Sequence, residues 1–210
     1  MTEAPLPGAA MWEERYGAEP YAYGRDPNRF LAAQRHRLRP GMRALAPGDG
    51  EGRNGVWLAS LGLDVDTLDL SAQGVAKAKR LAAERGVALN AMRADALAWD
   101  WPEARYDLVA LIYLHLPESG RRALHANAIR ALKPGGLLVI EAFRPEQIAR
   151  QAAGARGGPR DPALLYRGEA IRADFAGQDV LLMEEAETDM SEGALHLGPS
   201  AVVRALVRRR

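Results

Sequence analysis

Short apolar runs alternate with amphipathic stretches between residues 42 and 143. Residues 106–113 and 137–143 are almost wholly apolar, which is typical of strands buried on both faces. Other segments repeat their apolar residues every three or four positions and predict helices ended by glycine or proline. The predicted strands are 43–46, 64–70, 87–93, 106–113 and 137–143, and the predicted helices are 54–61, a segment capped by Ser71 and ended by Gly86, and 118–132.

This alternation predicts an α/β fold with a doubly wound, mostly parallel sheet. Beyond residue 143 the pattern changes, because 180–187 and 201–207 predict two strands with no helix between them. We expect these strands to pair as an antiparallel hairpin, joined by a long connection over residues 189–199. Ligands of such sheets bind beyond the carboxyl ends of the strands, so residues at those ends are the candidates for a site.

The segments that flank this pattern carry weaker signals. Asp26 followed by Pro27 predicts the start of a helix. Residues 166–175 predict another helix, and residues 153–162 are a loop rich in glycine, proline and arginine. We expect this loop to act as a lid over the site.

Composition narrows the class of protein. The 210 residues suffice for one domain, and 28 basic against 27 acidic residues give a net charge of +1. That balance disfavours a nucleic-acid partner, and the absence of cysteine excludes disulfides and thiolate metal sites, so no metal is expected. No apolar run reaches the length of a membrane span, and the N-terminus lacks a signal-peptide pattern. We therefore expect a soluble cytoplasmic protein without a membrane partner.

A glycine-rich turn follows the first predicted strand and precedes a helix. Gly50, Gly52 and Gly55 match the G-x-G-x-x-G fingerprint of dinucleotide binding. Gly48, Gly50 and Gly52 instead match the G-x-G-x-G turn that is associated with S-adenosylmethionine. Both patterns let the backbone approach a nucleotide closely at a helix N-terminus, so the turn alone leaves the two cofactors open.

Two acidic residues at later strand ends sharpen the choice. Asp69 closes the second strand, where a carboxylate can accept both hydroxyls of a ribose, a group that both cofactors carry. Asp95 follows the third strand and can accept a hydrogen bond from an adenine amino group, which a dinucleotide enzyme does not need. A dehydrogenase also needs its own catalytic residues, yet the chain has no Tyr-x-x-x-Lys pair, and Lys77 and Lys79 are expected on a helix surface.

These segments resemble class I S-adenosylmethionine-dependent methyltransferases, and within them the bacterial group of the tellurite-resistance methyltransferase and, more distantly, thiopurine methyltransferase. The similarity spans residues 12–207, and the order and spacing of its motifs are specific. The matching segments are Trp12-Glu-Glu-Arg-Tyr16, Tyr23-Gly24 with Pro27-Asn28, Gly50-Glu-Gly-Arg-Asn54, Leu68-Asp-Leu-Ser71, Asp95-Ala96, Tyr106-Asp-Leu-Val109, His115-Leu-Pro117, Leu132-Lys-Pro-Gly-Gly136 and Glu192-Gly-x-x-His196.

The resemblance implies a seven-stranded, Rossmann-like sheet with an antiparallel C-terminal hairpin, S-adenosyl-L-methionine as cofactor, and methyl transfer to a small molecule. Within the group, soft nucleophiles such as thiols, selenium or tellurium species are the implied acceptors. The family carries an acidic residue where this chain has Ala46, and Asp49 is a candidate to bind the cofactor's ammonium group instead. The implied cofactor-binding residues are Tyr23, Gly48, Asp49, Gly50, Gly52, Asn54, Asp69, Leu70, Asp95, Ala96 and Leu111.

Two histidines are the candidate catalytic residues, because methyl transfer to a protonated acceptor needs a base. His196 belongs to the connection before the last strand, and the resemblance implies that it meets the acceptor. His115 follows the fourth strand, where an acceptor can approach. His36 and His125 are expected on solvated helix faces. Further candidates beside the site are Tyr23, Tyr113 and Glu141.

The expected organisation is a single methyltransferase domain over residues 1–210. Residues 1–40 form an N-terminal flap and helix, 41–145 the cofactor-binding core, and 146–210 the lid loop, a helix and the C-terminal hairpin. Two alternatives stay open: an NAD-dependent oxidoreductase, and a cofactor-binding protein without catalysis. The sequence leaves the oligomeric state undetermined.

Overall fold

The computed structural model describes residues 8–210, and the chain divides into two units at residue 100. Residues 1–7, the beginning of the expected N-terminal flap, lie outside the described residues. Each unit has its own strands and helices, and we describe the two in turn.

The first unit contains three parallel strands in the order β3-β2-β1. Their apolar residues are buried, as the alternating pattern predicts, and Ser71 accepts a hydrogen bond from Gly74 N at 3.0 Å to begin the long helix after β2. The strands are β1 (Arg43–Pro47), β2 (Asp64–Asp69) and β3 (Asn90–Arg93), and the helices are α1 (Ala10–Gly17), α2 (Arg29–Ala33, extended by a 3₁₀ turn over Gln34–Arg37), α3 (Arg53–Ser60) and α4 (Ala72–Glu84).

The start of α2 corrects one expectation. Asn28, and not Asp26, is the N-cap residue, because its side-chain oxygen accepts a hydrogen bond from Leu31 N at 2.9 Å. Pro27 therefore precedes the cap instead of occupying the first helical position. Helix α1 also forms, within residues that were expected to belong to the N-terminal flap.

The second unit contains four strands in the order β4-β5-β7-β6. β4 and β5 are parallel, whereas β7 is antiparallel to both β5 and β6. The strands are β4 (Tyr106–Ile112), β5 (Leu132–Phe143), β6 (Asp179–Glu192) and β7 (His196–Arg208), and the helices are α5 (Glu118–Ala131), α6 (Gln147–Ala152), a 3₁₀ turn (Pro162–Leu164) and α7 (Gly168–Asp174).

The C-terminal hairpin is much longer than the sequence predicted. The expected long connection over residues 189–199 is wrong, because β6 and β7 stay paired as far as Glu192 and His196. Only residues 193–195 turn the chain, and Gly193 adopts the positive φ of 68° that such a turn favours. Polar residues occupy strand positions in this stretch, so it lacks the apolar alternation that predicts strands. Helix α6 was not predicted either.

The strand order over both units is β3-β2-β1-β4-β5-β7-β6, a seven-stranded sheet. Its mostly parallel pairing and antiparallel C-terminal hairpin confirm the predicted fold class. Among residues 8–210, no helix is long and apolar enough to cross a membrane.

Candidate functional site

The glycine-rich turn is bonded to the end of β2 through its own backbone. Gly48 N and Asp49 N donate to Leu68 O at 2.7 and 3.2 Å, and Gly50 N donates to Asp69 Oδ2 at 2.8 Å. Gly48, Gly50 and Gly52 all have positive φ, at 66°, 57° and 88°, which explains why glycine occupies these positions. The structure thus brings the predicted turn and the predicted ribose acceptor together.

Asp69 is buried, and both of its carboxylate oxygens accept hydrogen bonds from backbone groups. Its second oxygen, Oδ1, accepts a hydrogen bond from Ser71 N at 2.9 Å. Desolvation raises the pKa of Asp69 to about 6, against the lowering effect of the hydrogen bonds from Ser71 and Gly50. A carboxylate oxygen can accept more than one hydrogen bond, so Asp69 keeps acceptor capacity for two adjacent hydroxyls. The residues at this strand end therefore fit a ribose-bearing cofactor.

The segment after β3 lies next to the end of β2. Ala94 N donates to the backbone oxygen of Asp69 at 2.9 Å, which places Asp95 and Ala96 directly beyond that contact. Asp95 is half-buried, and its Oδ1 accepts a hydrogen bond from Leu97 N at 2.8 Å in a tight turn. Asp69 and Asp95 accordingly follow neighbouring strand ends, as the sequence predicted.

Asp49 points towards the start of α3. Its Oδ2 accepts a hydrogen bond from Gly55 N at 2.9 Å, and burial raises its pKa to about 7. Oδ1 is buried and has no hydrogen-bond partner within residues 8–210. A Cβ added to Gly55 would lie 2.6 Å from Asp49 Oδ2, so the carboxyl group is enclosed against the helix. This orientation lends no support to the idea that Asp49 binds the cofactor's ammonium group.

The N-terminal segment contacts the loop from the other side. A Cβ on Gly50 would lie 2.5 Å from the Tyr16 hydroxyl, so this tyrosine packs directly on the second glycine. The Tyr23 hydroxyl accepts a hydrogen bond from Arg15 at 2.7 Å, and Asn54 Oδ1 accepts one from the backbone of Asn28 at 2.9 Å. Asn54 therefore holds the N-terminal segment through its side chain, a contact that sequence reasoning did not foresee.

Two residues that the sequence placed in solvent are buried in the structure. Lys77 and His125, both expected on solvated faces, are 5% and 1% exposed. Lys77 forms an ion pair with Glu51 at 2.7 Å, and His125 Nδ1 lies 2.8 Å from Asp174 Oδ2. Lys77 shares a helical face with Leu81, four residues on, and that spacing could have revealed its burial.

His115 is held by the backbone at both ring nitrogens. Nδ1 lies 2.7 Å from Leu164 O, and Nε2 lies 3.2 Å from Phe143 N, which requires a neutral ring with the proton on Nδ1. Desolvation lowers the pKa of His115 to about 4. Backbone groups therefore engage both ring nitrogens of His115, and a catalytic role for this residue stays a prediction.

His196 is the first residue of β7 rather than part of a loop. It is 5% exposed, and its Nδ1 lies 3.6 Å from Glu192 Oε2 across the hairpin. Its ring meets Tyr113 and Phe143 edge-on, with centroid distances of 4.7 and 5.4 Å. The imidazole thus lies in an aromatic cluster, beside one carboxylate.

Tyr113 directly follows β4 and has an unusual backbone conformation. Its φ is 54°, which is strained for a bulky residue and is a feature enriched at functional sites. The hydroxyl donates to Glu141, a buried carboxylate that also accepts a hydrogen bond from Arg204 Nε at 2.5 Å. The Tyr113 ring stacks on Phe143 at 4.7 Å and stays partly exposed.

The glycine-rich segment 153–162 packs on the same cluster. A Cβ on Gly157 would lie 2.9 Å from Phe143 and 3.1 Å from the His196 ring. Arg156 and Leu197 exchange backbone hydrogen bonds of 2.8 and 3.0 Å, which ties this segment to β7. Its role as a lid stays a prediction. Leu111, expected at the cofactor, is buried within β4 of this second unit.

Residues 44–136 match the family model described as a methyltransferase domain. Over this segment the chain is similar to methyltransferase domains. It covers slightly less than half of the 210 residues and includes the glycine turn, Asp69 and Asp95. The predictions of a methyltransferase and of S-adenosylmethionine as its cofactor are confirmed at this level, and the oxidoreductase alternative finds no support. No curated protein matches the chain.

Solved structures share the whole fold at low sequence identity. One, from work on the conversion of a disulfide bond into a thioacetal group during echinomycin biosynthesis, is 24% identical with a TM-score of 0.76, covering 96% of this chain and 89% of that one. TehB from Haemophilus influenzae is 16% identical with a TM-score of 0.69, covering 86% and 61%. Magnesium protoporphyrin IX methyltransferase from Synechocystis PCC 6803, solved with bound SAH, is 19% identical with a TM-score of 0.66, covering 86% and 80%.

Proposed function

We propose that this protein transfers the methyl group of S-adenosylmethionine to a soft nucleophile on a small molecule, with a thiol as the preferred acceptor and selenium or tellurium species as related ones. The observation that carries the proposal is the cluster of His196, Tyr113 and Phe143 in the second unit. It combines a proton acceptor with polarizable aromatic rings, and sulfur makes favourable contacts with such rings.

The cofactor residues belong to the first unit. Asp69 would hold the ribose hydroxyls, the glycine turn would approach the nucleoside through its backbone, and Asp95 would meet the adenine amino group. When bound, the cofactor supplies a methyl group that is already activated, so the protein's task is to bind, orient and exclude water. Under this assignment the only further catalytic group the site needs is one that takes a proton from the methyl acceptor.

His196 supplies the proton chemistry in this proposal. A free thiol has a pKa of about 8.5, so it is mostly protonated near neutral pH and must lose its proton to attack. A neutral imidazole can take that proton, and Glu192, 3.6 Å from Nδ1, would favour the resulting imidazolium. The Tyr113 hydroxyl donates a hydrogen bond to Glu141, so its oxygen can still accept a hydrogen bond from the thiol.

One structural neighbour supports a sulfur-like acceptor. The structure with a TM-score of 0.76 comes from work on converting a disulfide into a thioacetal, which is sulfur chemistry. The resemblance of the sequence motifs to the tellurite-resistance and thiopurine group points the same way. The motif resemblance and this neighbour are the grounds on which we propose a soft nucleophile.

The test is methyl transfer from labelled S-adenosylmethionine across a matched acceptor panel. Small aliphatic and aromatic thiols, selenite and tellurite are compared with phenols and amines of similar shape. We expect methylation of thiols or their heavier analogues to dominate. Transfer only to oxygen or nitrogen would contradict the proposed acceptor class. Tight S-adenosylhomocysteine binding without transfer to any acceptor would favour a cofactor-binding protein without catalysis.

A further inference from the structure

A buried ion pair joins the glycine-rich turn to helix α4. Glu51 stands between Gly50 and Gly52, and its Oε1 accepts a hydrogen bond from Lys77 Nζ on α4 at 2.7 Å. The two side chains are only 3% and 6% exposed. Burying two charges is costly unless their remaining hydrogen-bonding capacity is used, so the other partners of this pair show what it does.

Those other partners all belong to the N-terminal segment 16–23, which we call the docked segment. Lys77 Nζ donates to Ala18 O and, at 3.4 Å, to Pro20 O. Glu51 Oε2 accepts a hydrogen bond from Ala22 N at 2.7 Å. The ion pair therefore binds three backbone groups spread over five residues of this segment.

The docked segment has a tyrosine at each end. Tyr16 packs on Gly50, and a Cβ on Gly74 of α4 would lie 3.0 Å from its ring. Burial and the nearby Asp69 charge raise the pKa of Tyr16 well above its ordinary value, so its hydroxyl stays protonated beside the loop. Arg53 donates to the backbone oxygen of Tyr23 at 3.3 Å. Both tyrosines thus depend on the path of the chain between them.

We propose that Glu51 and Lys77 are positioning residues of the cofactor site, holding residues 16–23 against the glycine turn so that Tyr16 and Tyr23 form one wall of that site. This inference rests on the assignment of the turn as the cofactor loop. The cofactor then binds a wall that is already ordered, and less conformational entropy is lost on binding. Losing the ion pair frees the wall, and affinity falls although Asp69 and the glycines are unchanged.

The test compares the unmodified chain with the double variant Glu51→Gln/Lys77→Met, which removes both buried charges together and so leaves neither unpaired. Lys79→Met is the control, because Lys79 is exposed two positions away on the same helix. S-adenosylhomocysteine affinity is measured by titration calorimetry, and amide exchange at residues 18–23 by mass spectrometry. We expect the double variant to bind about tenfold or more weakly, with faster exchange there, and the control to stay within about twofold.

A purely structural role predicts a different result. The melting temperature would drop and exchange at residues 18–23 would rise, but S-adenosylhomocysteine affinity would not change, and the inference would be overturned. If the double variant does not fold, Glu51→Gln alone keeps an oxygen for Ala22 N, and unchanged affinity there overturns the inference equally. If the unmodified chain does not bind S-adenosylhomocysteine, the cofactor assignment fails with it. If the unmodified chain binds S-adenosylhomocysteine and the variants bind it equally well, this inference is overturned and the cofactor assignment stands.

Discussion

The glycine-rich turn of the first unit, residues 48–52, and the aromatic cluster of the second unit are ordered by different kinds of contact. The turn is ordered by hydrogen bonds from its backbone to Leu68 and Asp69, and it consists of glycine and acidic residues. The cluster is ordered by ring contacts among Tyr113, Phe143 and His196. A backbone-built site recognises a group common to many substrates, whereas a side-chain cluster can differ between related enzymes. The proposed function places cofactor binding in the first region and acceptor choice in the second.

The largest expected effect concerns the second region. His196→Ala is expected to lower methyl transfer by about 100-fold or more, because general base catalysis contributes about 10²- to 10⁴-fold. S-adenosylhomocysteine affinity should stay within about twofold, since no cofactor residue is altered. Steady-state turnover and titration calorimetry measure the two effects, with exposed His36→Ala as the control. A lower melting temperature with unchanged turnover would show that His196 and Glu192 only stabilise the hairpin.

The next effect concerns the first region. Asp69→Ala is expected to weaken S-adenosylhomocysteine binding by roughly 10- to 150-fold, because hydrogen bonds to a charged group are worth about 1.5–3 kcal/mol. Asp64→Ala is the matched control, at the opposite end of β2 and in an exposed pair with Arg43. Calorimetry on the folded variants measures both. Equal affinities in the two variants would remove Asp69 from the site.

The two regions also differ in how far the sequence revealed them. The glycine turn, Asp69 and Asp95 were predicted because they lie at fixed offsets from strand ends, and those offsets survive in the structure. The hydrogen-bond partners of His115 were not predicted, because Phe143 and Leu164 lie 28 and 49 residues away along the chain. No local spacing encodes such contacts.

Buried charged residues were also not predicted from the sequence. The Glu51–Lys77 pair joins residues 26 positions apart, and the general tendency of lysine to be exposed hid it. The predicted strands 180–187 and 201–207 are shorter than β6 and β7 for a related reason. The paired residues nearest the hairpin turn are largely polar, and they are held in place by hydrogen bonds between the two strands. The strained φ of Tyr113 cannot be read from residue type at all.

Alanine substitutions at two glycines test how tightly Tyr16 packs on the glycine-rich turn. Gly50 and Gly86 both have positive φ, at 57° and 66°, so alanine at either position strains the backbone by about 1–2 kcal/mol. Only at Gly50 would the new Cβ meet a neighbour, the Tyr16 hydroxyl at 2.5 Å. Gly50→Ala is therefore expected to melt about 2–4 °C or more below Gly86→Ala in calorimetry. Equal melting temperatures would mean that Tyr16 does not pack on the loop.

The last of these predictions is a change in the pH dependence of stability. The pKa of Asp49 is raised by burial from 3.8 to about 7, so the folded state holds its proton more tightly than the unfolded state. The associated stability is present below pH 4 and is lost as the pH rises towards 7. Asp49→Asn cannot ionise, so we expect its melting temperature to exceed that of the unmodified chain at pH 8 and the difference to shrink at pH 5. A constant difference would show that Asp49 does not titrate in this range.

The most direct measurement is a pair of calorimetric titrations of the unmodified protein, one with S-adenosylhomocysteine and one with NAD. We predict saturable one-to-one binding of S-adenosylhomocysteine, lost or strongly weakened in Asp69→Ala, and no binding of NAD. Saturable NAD binding without S-adenosylhomocysteine binding would contradict the account.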